Sequence, residues 1–194
     1  MSLDLIPNVA NLDEAGLGPI CFRCYSSCVI LDDEISDAFR NIVNDSKKLS
    51  EKKRDLARAI VIEEAREITV AWAETWEIDR LNILNANMLS FHRALDVIES
   101  NFPKILIDGN KFKPYNNIPH ETIVKGDSKI YGIAAASIIA KTERDAYVKE
   151  MIEKYPDLKK YGIQTNMGYP TKEHKLAVKE YGMSMFHRRS FHLK

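Results

Sequence analysis

Several things are scarce in this chain, and each scarcity excludes a class of protein. There is no excess charge of either sign: 28 lysines and arginines balance 28 aspartates and glutamates. That excludes a polyelectrolyte tail that coats nucleic acid, though not a basic rim around an acidic centre. There are only three cysteines, Cys21, Cys24 and Cys28, an odd number with no second cluster, so a disulfide framework is not expected. No apolar run approaches the roughly 20 residues of a membrane span, and the start, MSLDLIPNV, is too short and too acidic for a signal peptide. Internal repeats and low-complexity segments are also lacking. The expectation is a soluble, reduced, cytoplasmic protein. What the chain does have is 45% hydrophobic residues over a length of 194, enough for a sizeable core.

Strand and helix patterns alternate along it. Val9–Leu12 and Cys21–Leu31 read as two strands of a hairpin joined through Gly16, Gly18 and Pro19. Ser50 caps a helix from Glu51 to about Glu67, with Glu51 at the positive end of its dipole. Ile68–Ala73 is a short strand. Leu84, Met88, Phe91, Leu95 and Ile98 recur at steps of four and three, which predicts one long helix from Asp79 to Ser100, ended by Pro103. Ile105–Ile107 and Glu121–Val124 are strands separated by a loop over 109–119. Ile133–Tyr155 is a helix whose Ala134-Ala135-Ala136 permits close packing and which Pro156 stops. Thr171 caps a last helix, Lys172–Tyr181. Alternation after a leading hairpin predicts an α/β sheet with helices on its faces.

Four carboxylates stand at or just beyond the ends of these strands: Asp13 and Glu14 in NLDEAGLGP, Asp108 in ILIDGN and Asp127 in KGDSK. Side by side, those strand ends gather negative charge that repels itself unless cations occupy the cleft. Hard oxygen ligands suit Mg²⁺ or Mn²⁺, which share their coordination sphere with phosphate. The chemistry implied is metal-assisted displacement at phosphorus. Asp13 and Glu14, being adjacent, point to opposite faces of a regular strand. Asp145 is the rival for the fourth place, but mid-helix beside Arg144 it reads better as a helix-surface charge. His92 reads as packing or capping, and Trp72 and Trp76 as core or rim packing rather than base-stacking platforms.

DEAGLGP, DSKKLS, LIDGN, KGD followed by AAASIIAKTERD, GYPTKEH and HRRSF occur in that order from Asp13 to Phe191. In this combination the chain resembles the bacterial ribonuclease HII family. The resemblance implies a single ribonuclease H-like domain over 1–194: a mixed five-stranded sheet flanked by helices, with 156–194 as a C-terminal helical extension packed on it. It implies a monomeric endonuclease that hydrolyses the RNA strand of RNA–DNA hybrids, including single ribonucleotides embedded in duplex DNA. Cutting on the 5′ side of a ribonucleotide would leave 3′-hydroxyl and 5′-phosphate ends. It implies a catalytic cleft of Asp13, Glu14, Asp108 and Asp127 around two Mg²⁺ or Mn²⁺ ions. Asp13 would bridge both ions and Glu14 reach one of them, with Asp108 sharing the first and Asp127 the second.

By the same resemblance Gly16-Leu17-Gly18 is a loop that reads the ribose, its glycines letting backbone approach the 2′-hydroxyl that separates RNA from DNA. Tyr169 resembles a tyrosine that packs on the following deoxyribose. Lys47 and Lys48 are placed to meet backbone phosphates, and His174 and His187 match family positions and are candidates to brush phosphates. The plainer readings stay open: a hairpin turn, a surface anchor, a charged helix-entry loop.

The chain departs from the family pattern in a cluster. Leu17 replaces an arginine between the loop glycines. Ile20-Cys21-Phe22-Arg23-Cys24 stands where small residues are usual, and Cys28 falls on an alanine-like position. Ser128 replaces a glycine after KGD, Ile130-Tyr131-Gly132 is unusual, Met167 replaces a lysine, and Trp72 and Trp76 replace small or polar residues. Changes gathered around one cleft open a second reading: an engineered protein on this scaffold, with a remodelled, less polar pocket suited to a small aromatic ester and little or no nuclease activity. Cys21 or Cys24 would then be a nucleophile with a histidine as base, against the plain alternative of buried, inert thiols. A third reading is a silent binder of RNA–DNA hybrids.

Overall fold

The first two strands are buried almost throughout, so both of their faces pack against helices on opposite sides of the sheet. β1 (Ala10–Ala15) pairs antiparallel with β2 (Cys24–Ile30), and β2 with β3 (Glu67–Ala73). β1 also pairs parallel with β4 (Ile105–Asp108), and β4 with β5 (His120–Ile123), giving a mixed five-stranded sheet in the order β3-β2-β1-β4-β5. The computed structural model describes residues 3–43 and 49–192.

One face of the sheet carries the helix α5 (Tyr131–Lys154), backed by α1 (Asp37–Ile42) and α2 (Glu51–Glu64) around Val29, Leu31, Phe39, Val61 and Ala134–Ala136. The first turns of α5 are buried all round, so small residues are needed where it crosses β1. Gly132 shows why: a Cβ there would stand 2.2 Å from Asn11 Nδ2. The opposite face carries α4 (Ile83–Asp96), with Met88, Phe91, Ala94 and Leu95 packed on Ala10, Leu12, Ile105 and Ile107. After α5, a 3₁₀ segment (Pro156–Tyr161), the single turn α6 (Ile163–Asn166) and α7 (Lys172–Tyr181) gather around Phe22, Met151, Ile163 and Val178.

The mixed sheet and flanking helices match the expectation, with corrections. The helix expected over 79–100 is two helices, α3 (Thr75–Leu81) and α4. Asn82 breaks it by adopting φ 66°, and its side chain accepts the Asn85 N–H at 3.1 Å to cap α4. An amide side chain that caps a helix tolerates the left-handed region better than most residues. α4 stops at Asp96, well before Pro103. α1 was not foreseen, although Ser36 is an ordinary cap that accepts the Phe39 N–H at 3.0 Å. β1 runs on to Ala15, so Asp13 and Glu14 sit within it rather than past its end.

Candidate active site

The parallel pairing of β1 and β4 builds the site. Its last register pair is Leu12 with Ile107, so one step further Asp13 and Asp108 stand level on neighbouring strands. Leu12 and Ile107 both face α4, so the pleat turns Asp13 and Asp108 to the α5 side. Glu14 falls on the α4 side, where Asn87 Nδ2 donates to its Oε2 at 3.4 Å. The opposite-face expectation for Asp13 and Glu14 therefore holds.

Asp13 is 3% exposed. Burial, and then the negative charges of Glu14 and Asp108, push its carboxyl well above the usual carboxylate range. The Glu14 N–H, donating at 2.6 Å, and Ser137 of α5 partly offset this. Asp108 is held by the Gly126 N–H, which donates to its Oδ1 at 2.7 Å. A Cβ at Gly126 would stand 2.7 Å from Ile133 Cδ1, so the buried isoleucine would have to shift to admit a side chain here. That amide opens the 3₁₀ turn Gly126–Ser128, which carries the buried Asp127 as its next residue.

Among the described residues no three acidic, histidine or cysteine side chains close into a ready-made metal cage. The donor set still fits divalent ions of the Mg²⁺ or Mn²⁺ kind: every oxygen is hard, and Asp13 is buried against like charge that a cation relieves. Asp145 does not join this set. Lys141 at 2.9 Å, Arg144 at 3.1 Å and Arg54 at 4.0 Å surround it.

Beside the acids lies a cleft of about 340 Å³ lined by Glu14, Gly16, Leu17, Gly18, Ser137, Lys141 and Tyr169. The glycine loop and Tyr169, far apart in sequence, thus meet next to Glu14. Tyr169 packs on Gly18, where an added Cβ would lie 3.3 Å from its ring. Leu17 lines this cleft and also packs against the cluster of Cys24, Ala73, Ile78 and Ala86. Lys47 and Lys48 lie outside the described residues.

The model of the family described as Ribonuclease HII matches residues 10–194. The chain belongs to the ribonuclease HII family. It is 46% identical to the ribonuclease HII of Christiangramia forsetii over 95% of this chain and 90% of that protein. It is 49% identical to that of Dechloromonas aromatica over 94% and 90%. The ribonuclease H2 structure from Pyrococcus horikoshii OT3 superposes with a TM-score of 0.77 at 26% identity, covering 95% and 94%. Membership makes the protein a hydrolytic nuclease, of a family that cuts the RNA strand of RNA–DNA hybrids. None of the described helices is long and apolar enough to cross a membrane.

Several expectations beyond the ribonuclease HII motifs are corrected. The engineered, thiol-centred reading finds no support. Cys21, Cys24 and Cys28 are wholly buried. Burial pushes the Cys21 thiol up to about 12 and raises Cys24 as well, so neither supplies a thiolate near neutrality. Nor do the aromatic departures line the cleft. Phe22 is buried against Tyr147 and Phe186. Trp72 stacks with Tyr25 and lies under Arg23. Trp76, 63% exposed, borders a separate depression of about 860 Å³ with Arg23, Tyr147 and Met185, which includes none of the four acids. His92 packs on Phe112 and Tyr115, as expected.

His174 and His187, the candidates for phosphate contact, are turned away from solvent. They are buried, with their Nε2 atoms 3.1 Å apart. The Ser184 N–H donates to His187 Nδ1 at 3.0 Å, so that nitrogen is the acceptor. His187 then donates through Nε2 to His174, and His174 donates through Nδ1 to the Tyr169 carbonyl at 3.0 Å. Desolvation draws His187 down to about 4 and lowers His174 too, so both imidazoles are neutral. Residues missed in sequence include Asn87, Lys141 and Ser137. Ser137 had a signal: it is the one hydroxyl interrupting AAASIIA.

Proposed function

We propose that the protein hydrolyses the phosphodiester on the 5′ side of a ribonucleotide, in RNA–DNA hybrids and at single ribonucleotides in duplex DNA. Two divalent ions, Mg²⁺ or Mn²⁺, would be held by Asp13, Glu14, Asp108 and Asp127. The observation that carries this reading is the buried Asp13 carboxyl, level with Asp108 and pressed by the charges of Asp108 and Glu14. Bound there, the ions supply an activated water and stabilise the leaving 3′-oxygen.

The chain's own groups prepare the site. Gly126 N–H aims Asp108, Asn87 orients Glu14, and Ser137 donates to Asp13, so the oxygens are fixed before substrate arrives. Gly16–Gly18 and Tyr169 form one wall, close enough to meet a ribose edge through backbone and the next sugar through the ring. Lys141 borders the same cleft and offers positive charge toward the phosphate backbone.

The test is a duplex carrying one ribonucleotide, incubated with and without Mg²⁺. The expected outcome is a single metal-dependent cut on the 5′ side of the ribonucleotide, with the all-deoxy duplex untouched. Metal-independent cutting, or equal cutting of both duplexes, refutes the reading.

A further inference from the structure

Arg188, in the C-terminal segment, is fully buried with no carboxylate in its hydrogen-bond set. Its guanidinium carries five N–H groups, and all five are matched by main-chain carbonyls of one loop. Nε donates to Phe22 O at 2.8 Å. Nη1 donates to Leu17 O at 3.1 Å and Pro19 O at 2.7 Å. Nη2 donates to Gly16 O at 2.7 Å and Arg23 O at 3.1 Å. The backbone of Arg188 adds a sixth bond, its N–H donating to Ile20 O at 2.8 Å. A buried cation is costly unless paired; here carbonyl dipoles converging from 16–23 do the pairing.

This has a directional consequence. In a planar trans peptide the N–H points opposite to the preceding C=O, and the chain has no cis bonds. With the carbonyls of Gly16 and Leu17 drawn to Arg188, the N–H groups of Leu17 and Gly18 are turned the other way, toward the cleft those residues line. The next such peptide confirms the sense: Pro19 O faces Arg188, and the Ile20 N–H donates to Gly168 O at 2.9 Å, in the turn that carries Tyr169. A second observation points to the same device. Phe22 adopts φ 71°, a costly conformation for a bulky residue. Its carbonyl is held by Arg188 and its N–H donates to Phe186 O at 2.8 Å. Arg188 thus grips the loop at its strained residue.

We infer that Arg188 is a positioning residue for substrate selection: it pins the carbonyls of the 16–23 loop inward, so that the Leu17 and Gly18 amides face the cleft as a donor pair for the ribose 2′-hydroxyl. The inference rests on the proposed ribose-reading role of that loop and names the residue that sets the loop's geometry. It also gives a use to the HRRSF motif, which lies away from the acids.

Arg188→Lys is the first test, because lysine keeps the charge but offers three donors for five carbonyls. With circular dichroism unchanged, kcat on the single-ribonucleotide duplex should fall at least about tenfold, while KM, set largely by phosphate contacts, stays within about twofold. A folded variant whose kcat stays within about twofold of the parent overturns the inference. Should Arg188→Lys fail to fold, nuclear magnetic resonance on the parent decides. The Arg188 guanidinium protons should exchange slowly, and the Leu17 and Gly18 amides of metal-free protein should shift with the ribonucleotide duplex but not with its all-deoxy counterpart. Fast guanidinium exchange refutes the pin. Slow exchange with amides indifferent to the ribonucleotide refutes the ribose-reading role of the loop, and the purpose assigned to Arg188 with it.

Discussion

Two buried charged clusters flank the same cleft and are built on opposite plans. At the end of β1 and β4 the dominant charges acting on Asp13 are negative, so the acid floor is in tension with itself. Under the glycine loop, Arg188 has every donor matched by a carbonyl, and the His174–His187 pair runs as a one-way chain of donors into Tyr169 O. Arg144 also spends a donor on the Met167 carbonyl and another on Asp145. One cluster holds like charge that a cation would relieve; in the other the fold matches every donor of Arg188, while Arg144 Nε is buried without a hydrogen-bond partner. In the proposed mechanism the first is where chemistry needs a ligand, and the second is where the wall must not move.

The largest effect should separate the two clusters cleanly. Asp108→Asn keeps an oxygen for the Gly126 N–H but removes one negative neighbour of Asp13. Cleavage with Mg²⁺ should fall by about 10³-fold or more. The metal-free variant should melt higher than the parent, by the equivalent of roughly 1 kcal/mol. A variant that cuts within a few-fold of the parent breaks the comparison. Adding Mn²⁺ or Mg²⁺ to the parent should then raise its melting temperature, by the equivalent of about 2.7 kcal/mol at a hundredfold excess over Kd, with chelator reversing the rise. Absence of any such shift would mean the acid floor is not short of a cation.

Gly132→Ala probes the support beneath Asp13. A methyl 2.2 Å from Asn11 Nδ2 must displace that buried amide from the Val9 and Val29 carbonyls or push α5 off β1, costing about 1–3 kcal/mol in a denaturation experiment. The histidine pair predicts a smaller, pH-dependent change. The folded state draws His187 from 6.5 to about 4, so the unfolded chain takes up its proton first as pH falls. The stability this pair contributes is fully present above pH 6.5 and drains away as pH drops toward 4. Asp13, raised instead of lowered, has the opposite sign, so nitrogen chemical shifts of the His187 ring are the cleaner reading and should stay at neutral values to about pH 5. The smallest effect is expected from iodoacetamide: with Cys21 and Cys24 buried and protonated, native protein should keep its metal-dependent cutting unchanged. Inactivation on the same timescale as an exposed thiol would reopen the cysteine chemistry.

Much of the fold was legible where local rules act. Ser50 and Thr171 cap the helices they were expected to cap, and the apolar run ending at Asp108 is a strand. Legibility failed where one residue overrides a periodic pattern: the stripe from Leu84 to Ile98 reads as part of one helix, and only the φ of Asn82 reveals the break. In the candidate site, the acids stood out because charge at the end of an apolar strand is unusual. The histidines misled because their type says nothing of burial. Phe22, Trp72 and Trp76 looked like pocket residues because they depart from the family pattern together with Leu17 and Met167, yet the chain turns them onto other faces.

By itself the order of residues determined which groups this protein has to work with: oxygen ligands at strand ends, a glycine-flanked loop, a helix start made of alanines. It could do so because such features depend on neighbours a few positions away. Only the tertiary structure decided that Asp13 stands level with Asp108, that Asp145 is taken by three cations, and that a guanidinium more than 160 positions away grips the loop. Those outcomes depend on strand register and on which buried charge meets which dipole, and both are set by the packing of distant segments against one another.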